Sequence, residues 1–99
     1  VRQGYSFAIS VVTKYEIYSG ATSNQLPFWN SVLQAISVIP LDEKSADTAV
    51  AINNTLKKKR KQIDIADLFI AATAIAHSIP LATLNRRHFD RVEKLTIME

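Results

Sequence analysis

No cysteine occurs anywhere in these 99 residues, so no disulfide braces the fold. That absence fits a reducing cytoplasm. No run of about 18 apolar residues is present, which argues against a membrane-spanning helix. The start of the chain lacks the basic, apolar and cleavage-site pattern of a secretory leader. Glycine and proline are scarce, at two and three. With no repeat, no low-complexity stretch and no dividing linker, residues 1–99 read as one domain. A chain of this length buries roughly 60–70% of its unfolded surface and needs no staple. Lys and Arg number 12 against 9 Asp and Glu, a formal charge of +3. That balance is only a weak pointer to a polyanionic partner.

The densest feature is residues 63–77, apolar nearly all round and opened by Asp64 and Asp67. A helix without a polar face belongs in a domain interior. Two acids three residues apart share neighbouring ground at its start. Each is either a cap or a metal ligand.

The rest of the chain alternates short apolar runs with helical periodicity. Residues 5–12 read as a strand through Phe7, Ala8, Ile9, Val11 and Val12,. A helix follows over 13–19, with Gly20 as its stop. Residues 24–35 form an amphipathic helix with Pro27 in its first turn and Phe28, Val32, Leu33 and Ile36 on one stripe,. A second strand spans 37–41. Asp42 then caps a helix to about residue 58, whose inner stripe is Ala46, Ala49, Val50, Ile52 and Leu56. After the 64–77 helix come a strand from 80 to 83 or 84, a helical turn at 86–89 and a last strand at 95–98.

Short apolar strands separated by helices point to an α/β sandwich with a mainly parallel sheet. Sites in such sheets gather outside the carboxyl ends of the strands. Glu16 and Asn85 follow the first and third strands and satisfy that rule. Asp67 joins them only where its helix starts at the same edge.

Three segments together resemble the PIN-domain ribonucleases, particularly the VapC-like toxins. They are Ile9-Ser10-Val11-Val12-Thr13-Lys14-Tyr15-Glu16-Ile17-Tyr18-Ser19-Gly20, Asp67-Leu68-Phe69-Ile70-Ala71-Ala72-Thr73-Ala74 and Leu81-Ala82-Thr83-Leu84-Asn85-Arg86-Arg87-His88-Phe89. None is specific alone; their order and spacing are. The resemblance implies a PIN-like three-layer sandwich, a short-stranded, mainly parallel sheet flanked by helices. It further implies a metal-dependent endoribonuclease toxin, active with Mg²⁺ or Mn²⁺, homodimeric, and neutralised by a cognate antitoxin.

Two departures accompany the resemblance. Relatives begin with an apolar strand ending in an Asp-x-Asn type motif, and nothing before Tyr5 fits it. The chain therefore reads as lacking its first strand, as a fragment would, and with it the first metal-binding carboxylate. His88 stands where many relatives carry another Asp, and Asp90 is an unproven stand-in.

Hydrolysis of a phosphodiester requires stabilised phosphoryl charge and a nucleophile near neutral pH, both of which a divalent ion supplies. The resemblance makes Glu16 and Asp67 the metal ligands and Asn85 a third catalytic group, holding water or a phosphate oxygen. Thr83 would orient a ligand from behind. Arg86, Arg87, Lys59 and Arg60 would guide RNA, within the wider set of Lys57, Lys58, Lys61 and Arg91.

Each assignment has a structural counterpart. Thr13-x-x-Glu16 has the spacing of a capping box. Asp64 is placed as an N-cap, and Asp67 suits the positive end of the helix dipole. Asn85 could cap the 86–89 turn, and His88 reads as structural or substrate-facing. His77 reads as a cation at a helix C-terminus or a surface residue, and the 57–61 run as a solvated helix end. Phe28, Trp29 and Leu33 read equally as core or as a patch for a partner helix. A rival function is a catalytically inactive PIN-like module that binds RNA or a protein partner.

Overall fold

The computed structural model describes residues 8–83 and 86–98. The residues form two compact units, 1–40 and 41–99.

In the first unit, β1 (Ala8–Ser10) pairs in parallel with β2 (Ser37–Ile39), placing Ile9 opposite Val38. Between them lie α1 (Val11–Gly20) and α2 (Leu26–Gln34). The strand expected over 5–12 stops early, because Val11 and Val12 are the first residues of α1; positions 5–7 lie outside the described residues. Two β-branched residues after an apolar run mimic strand, but the Ser10 hydroxyl accepts the Thr13 amide at 3.0 Å and starts the helix there,. Pro27 occupies the first turn of α2, where its missing N–H costs nothing,. Tyr18 Oη donates to Asn30 Oδ1 at 2.9 Å and ties α1 to α2. Leu33 is buried, whereas Phe28 is 62% exposed and meets Trp29 edge to face at 5.1 Å.

The second unit is built on α3 (Glu43–Lys58) and α4 (Ile65–Ala76), joined by residues 59–64. Asp42 caps α3 as the sequence indicates. Its Oδ1 accepts from the Ser45 amide at 2.9 Å and the Ser45 hydroxyl at 2.7 Å. The inner face of α3 is Ser45, Ala49, Ile52 and Leu56, spaced by four, three and four,. Ala46 and Val50, expected on that stripe, are exposed because each lies one residue further round the helix.

Ala49 packs on Leu68 and Ala72, with Ile52, Ile63 and Phe69 around them. Ala71 and Ala72 have no exposed surface, so small side chains let the helices approach closely,. Thr73, buried among apolar neighbours, satisfies its hydroxyl on the Phe69 carbonyl at 2.7 Å,. Helix α4 is not enclosed all round, since Ile65 at its first position is 68% exposed.

Both helices end in Schellman motifs. Lys61 N–H reaches the Leu56 carbonyl at 2.9 Å and Arg60 N–H the Lys57 carbonyl at 3.1 Å,. Ile79 and Ser78 repeat the pattern on Ala74 and Ile75, at 2.8 and 3.0 Å. The left-handed residue each motif needs is Arg60 in one and Ser78 in the other, both with φ 56°.

The strands expected at 80–84 and 95–98 reduce, among the described residues, to one parallel bridge between Leu81 and Ile97. Leu81 N–H donates to the Thr96 carbonyl and Met98 N–H to the Leu81 carbonyl, both at 2.8 Å. Between them α5 (Arg86–Phe89) buries Phe89, and Val92 follows into the same interior.

Candidate functional site

Glu16 stands in the first unit, exposed on the middle of α1. The capping-box reading does not survive the structure. Ser10 is the N-cap, so Thr13 is the third helical residue and Glu16 lies a full turn beyond the orphan amides,. Its carboxylate is therefore not consumed by the helix start. Around it on α1, Lys14 Nζ sits 5.9 Å from the Tyr18 ring centroid and Tyr15 is 71% exposed.

Asp67 stands in the second unit, half-buried in the first turn of α4. Asp64 occupies the N-cap as expected, but its side chain makes no capping hydrogen bond. Asp67 is engaged in an interaction of its own, as are Thr83 and Arg86. The helix dipole at this end favours an anion, and Leu68 and Ile70 to Ala74 behind it in the helix are buried,.

Thr83 is half-buried after the Leu81 bridge, and Arg86 and Arg87 are exposed on α5. Arg86 Nε lies 3.8 Å from Asp90 Oδ1, one turn away on the same helix end. Asp90 is thus drawn to an arginine. Asn85, and the His88 side chain, lie outside the described residues. Among the described residues, no three His, Asp or Glu side chains gather as a metal-ligand group. The donors proposed for a metal are two carboxylates, a hard set suited to Mg²⁺ or Mn²⁺ rather than to zinc.

His77, expected as a C-terminal cation or surface residue, is the C-cap of α4. Its Nε2 is 3.1 Å from Asp42 Oδ2, yet the ring is not aligned for a hydrogen bond. The contact is therefore one of charge proximity. Asp42 is held below its ordinary carboxylate range, first by the Ser45 hydroxyl and amide and then, more weakly, by His77. Glu93 is lowered in the same sense by Lys59, whose Nζ lies 2.6 Å away. This pair has no signal in the sequence, because its members are 34 residues apart.

The PIN-domain family profile matches residues 2–95 of the chain. Ribonuclease VapC1 of Methanocaldococcus jannaschii is 35% identical over 88 residues, covering 88% of this chain and 65% of its own length. The chain spans 54% of the length of two further curated relatives. Among solved structures, VapBC-1 from nontypeable Haemophilus influenzae matches with a TM-score of 0.86 at 22% identity, over 100% of this chain and 78% of the other. VapBC-5 from Mycobacterium tuberculosis, of the VapBC family of toxin–antitoxin systems, matches with a TM-score of 0.78 at 25% identity, over 93% of this chain and 80% of the other.

Proposed function

Because the chain belongs to the PIN-domain family, we propose that it acts as a metal-dependent endoribonuclease, with Asp67 and Glu16 as metal-binding carboxylates. The single observation that carries this reading is the position of Asp67. It is a half-buried acid in the first turn of a nearly all-apolar helix, in a chain with curated relatives named as ribonucleases.

When bound, Mg²⁺ or Mn²⁺ polarises the scissile phosphoryl group and lowers the pKa of a coordinated water. Asp67 and Glu16 would hold the ion. Asn85 would hold a water or donate its side-chain amide N–H to a phosphate oxygen, and Thr83 would fix the direction of a ligand. Arg86 and Arg87 on α5 draw the RNA backbone toward this edge. A cytoplasmic location belongs to the same proposal.

The matched VapBC-5 structure belongs to a toxin–antitoxin family, which supports a cognate antitoxin as partner. The exposed Phe28 ring, set against Trp29, offers an apolar anchor for it,. A homodimer is part of the same reading.

The test is RNA cleavage by Asp67→Asn. The substitution keeps size and hydrogen bonding but removes charge. Loss of even an orienting neighbour of a ligand costs about 10–100-fold, so loss of the ligand itself should exceed about 100-fold. Unchanged cleavage overturns the assignment.

A further inference from the structure

Helix α3 carries a second stripe beside the one that packs on α4. Thr48, Ala51, Ile52, Thr55 and Leu56 fall at i, i+3, i+4, i+7 and i+8, so they share one face of the helix,. Opposite them stand Ile75, in the last turn of α4, and Val92, in the segment after α5. Together they wall a cavity of about 280 Å³ within the second unit. Leu56 and Val92 are buried, whereas Ala51 and Thr55 are exposed, so the cavity opens to solvent on the α3 side.

This wall offers little to a polar guest. It is aliphatic apart from the two threonines, and their hydroxyl protons are already used. Thr48 Oγ1 donates to the Lys44 carbonyl at 2.9 Å, and Thr55 Oγ1 to the Ala51 carbonyl at 3.2 Å,.

The charge of the cavity comes from the 91–94 segment alone. Glu93 is neutralised by Lys59, whose Nζ lies 2.6 Å from its Oε1. Arg91 gives Nη1 to the carbonyls of Lys61 and Gln62 at 3.5 and 3.1 Å, neutral partners that leave its charge intact. Lys94 has no hydrogen bond or ion pair among the described residues. It also lines a second cavity of about 270 Å³, with Ile75 as the other shared wall. An exposed ammonium without a protein acceptor therefore stands where two hollows meet.

Ligand sites are mostly apolar, with a few polar groups that fix orientation. The volume falls just below the roughly 300–1,000 Å³ usual for such sites, which favours a short chain over a large guest. Burial against the aliphatic wall favours an apolar body. Two cations whose charge no carboxylate answers favour an anionic head, held by a charge-assisted hydrogen bond.

We infer that this cavity binds an aliphatic monocarboxylate. The chain lies against Ile52, Leu56, Ile75 and Val92, the carboxylate meets Lys94, and Arg91 adds positive potential. The site is separate from the proposed metal-binding carboxylates. Ile75 lies eight residues beyond Asp67 on α4, about 12 Å along the helix axis,.

The experiment is a titration of the whole chain with octanoate, kept below its micelle concentration and in EDTA. Methyl NMR shifts and thermal melts report binding. The parent should show saturable shifts at Ile52, Leu56, Ile75 and Val92. Its melting temperature should rise, as it does for a ligand that binds only the folded state. Lys94→Gln should weaken binding about tenfold or more, and Lys94→Arg should retain it. Ala51→Phe, at an exposed helical position, fills the cavity and should abolish the shifts while the unliganded melt stays near the parent's. Octanol and octylamine carry the same chain without the anion and should bind about tenfold more weakly or worse.

No saturable shift at those methyls in the parent overturns the inference. So does octanol bound as tightly as octanoate, or an affinity unmoved by Lys94→Gln. A dimer that Ala51→Phe dissociates, in a chain that does not bind octanoate, assigns the cavity to a second copy and overturns it as well.

Discussion

Ser10 and Thr13 are joined twice: the Thr13 amide donates to the Ser10 hydroxyl at 3.0 Å, and the two hydroxyls lie 3.1 Å apart. This pair fixes the first turn of α1 and so fixes where Glu16 falls on the helix. Ser10 is also buried, with its side chain satisfied by that contact. Ser10→Ala should therefore destabilise the chain by about 0.5–2 kcal/mol in urea unfolding. No change would mean that α1 starts elsewhere and that Glu16 regains a capping role.

The Asp42–Ser45 cap carries a pH signature. The folded-state pKa of Asp42 lies below its ordinary value of 3.8. A group lowered in this way contributes its stability above the ordinary value and loses it as pH falls through the folded one. Asp42→Ala should thus be less stable than the parent at pH 7. The gap should close as pH drops below about 4. Thermal melts at both pH values check this, and a gap that persists at low pH would refute the charge-assisted cap.

Leu56 is 2% exposed at the inner face of α3. Truncation leaves a cavity that the flanking helices fill only in part. Leu56→Ala should cost about 2–5 kcal/mol in denaturant unfolding. A cost below about 1 kcal/mol on that scale would show that this face is not core.

Ser78 holds the left-handed position at the end of α4, with φ 56°. A left-handed non-glycine residue costs roughly 1–2 kcal/mol, and glycine's extra freedom in the unfolded chain offsets about 0.5–1 of that. Ser78→Gly should therefore stabilise by roughly 0.5–1 kcal/mol. Destabilisation would mean that the serine side chain supports the turn.

Much of this fold is legible in the residues alone. Asp42 and Asp64 announce the two helix starts, and the alanine-rich run after Asp67 announces the close packing of α4 on α3. Other features have no local signal. Ile9-Ser10-Val11-Val12 reads as strand because β-branched residues are counted before the serine hydroxyl, whose effect depends on an amide three residues away. The Schellman turns are hidden because Arg60 and Ser78 stand where glycine would advertise them. Periodicity places Val50 inside, yet a one-residue rotation of the stripe leaves it 61% exposed. The Lys59–Glu93 and Asp42–His77 contacts join distant positions, which periodicity does not reach. Of the site, Asp67 is legible as an acid at the mouth of a buried helix. Glu16 is legible only through the family's pattern, since an exposed mid-helix glutamate is ordinary.

A calorimetric titration with Mn²⁺ tests the shared ion most directly. The parent chain should bind the ion saturably, and binding should weaken by more than about 100-fold in Asp67→Asn and in Glu16→Gln. The double variant should be little weaker than either single one, because two ligands of one ion are not independent. Effects that simply add, or a parent chain with no specific heat, would contradict an ion held jointly by Glu16 and Asp67.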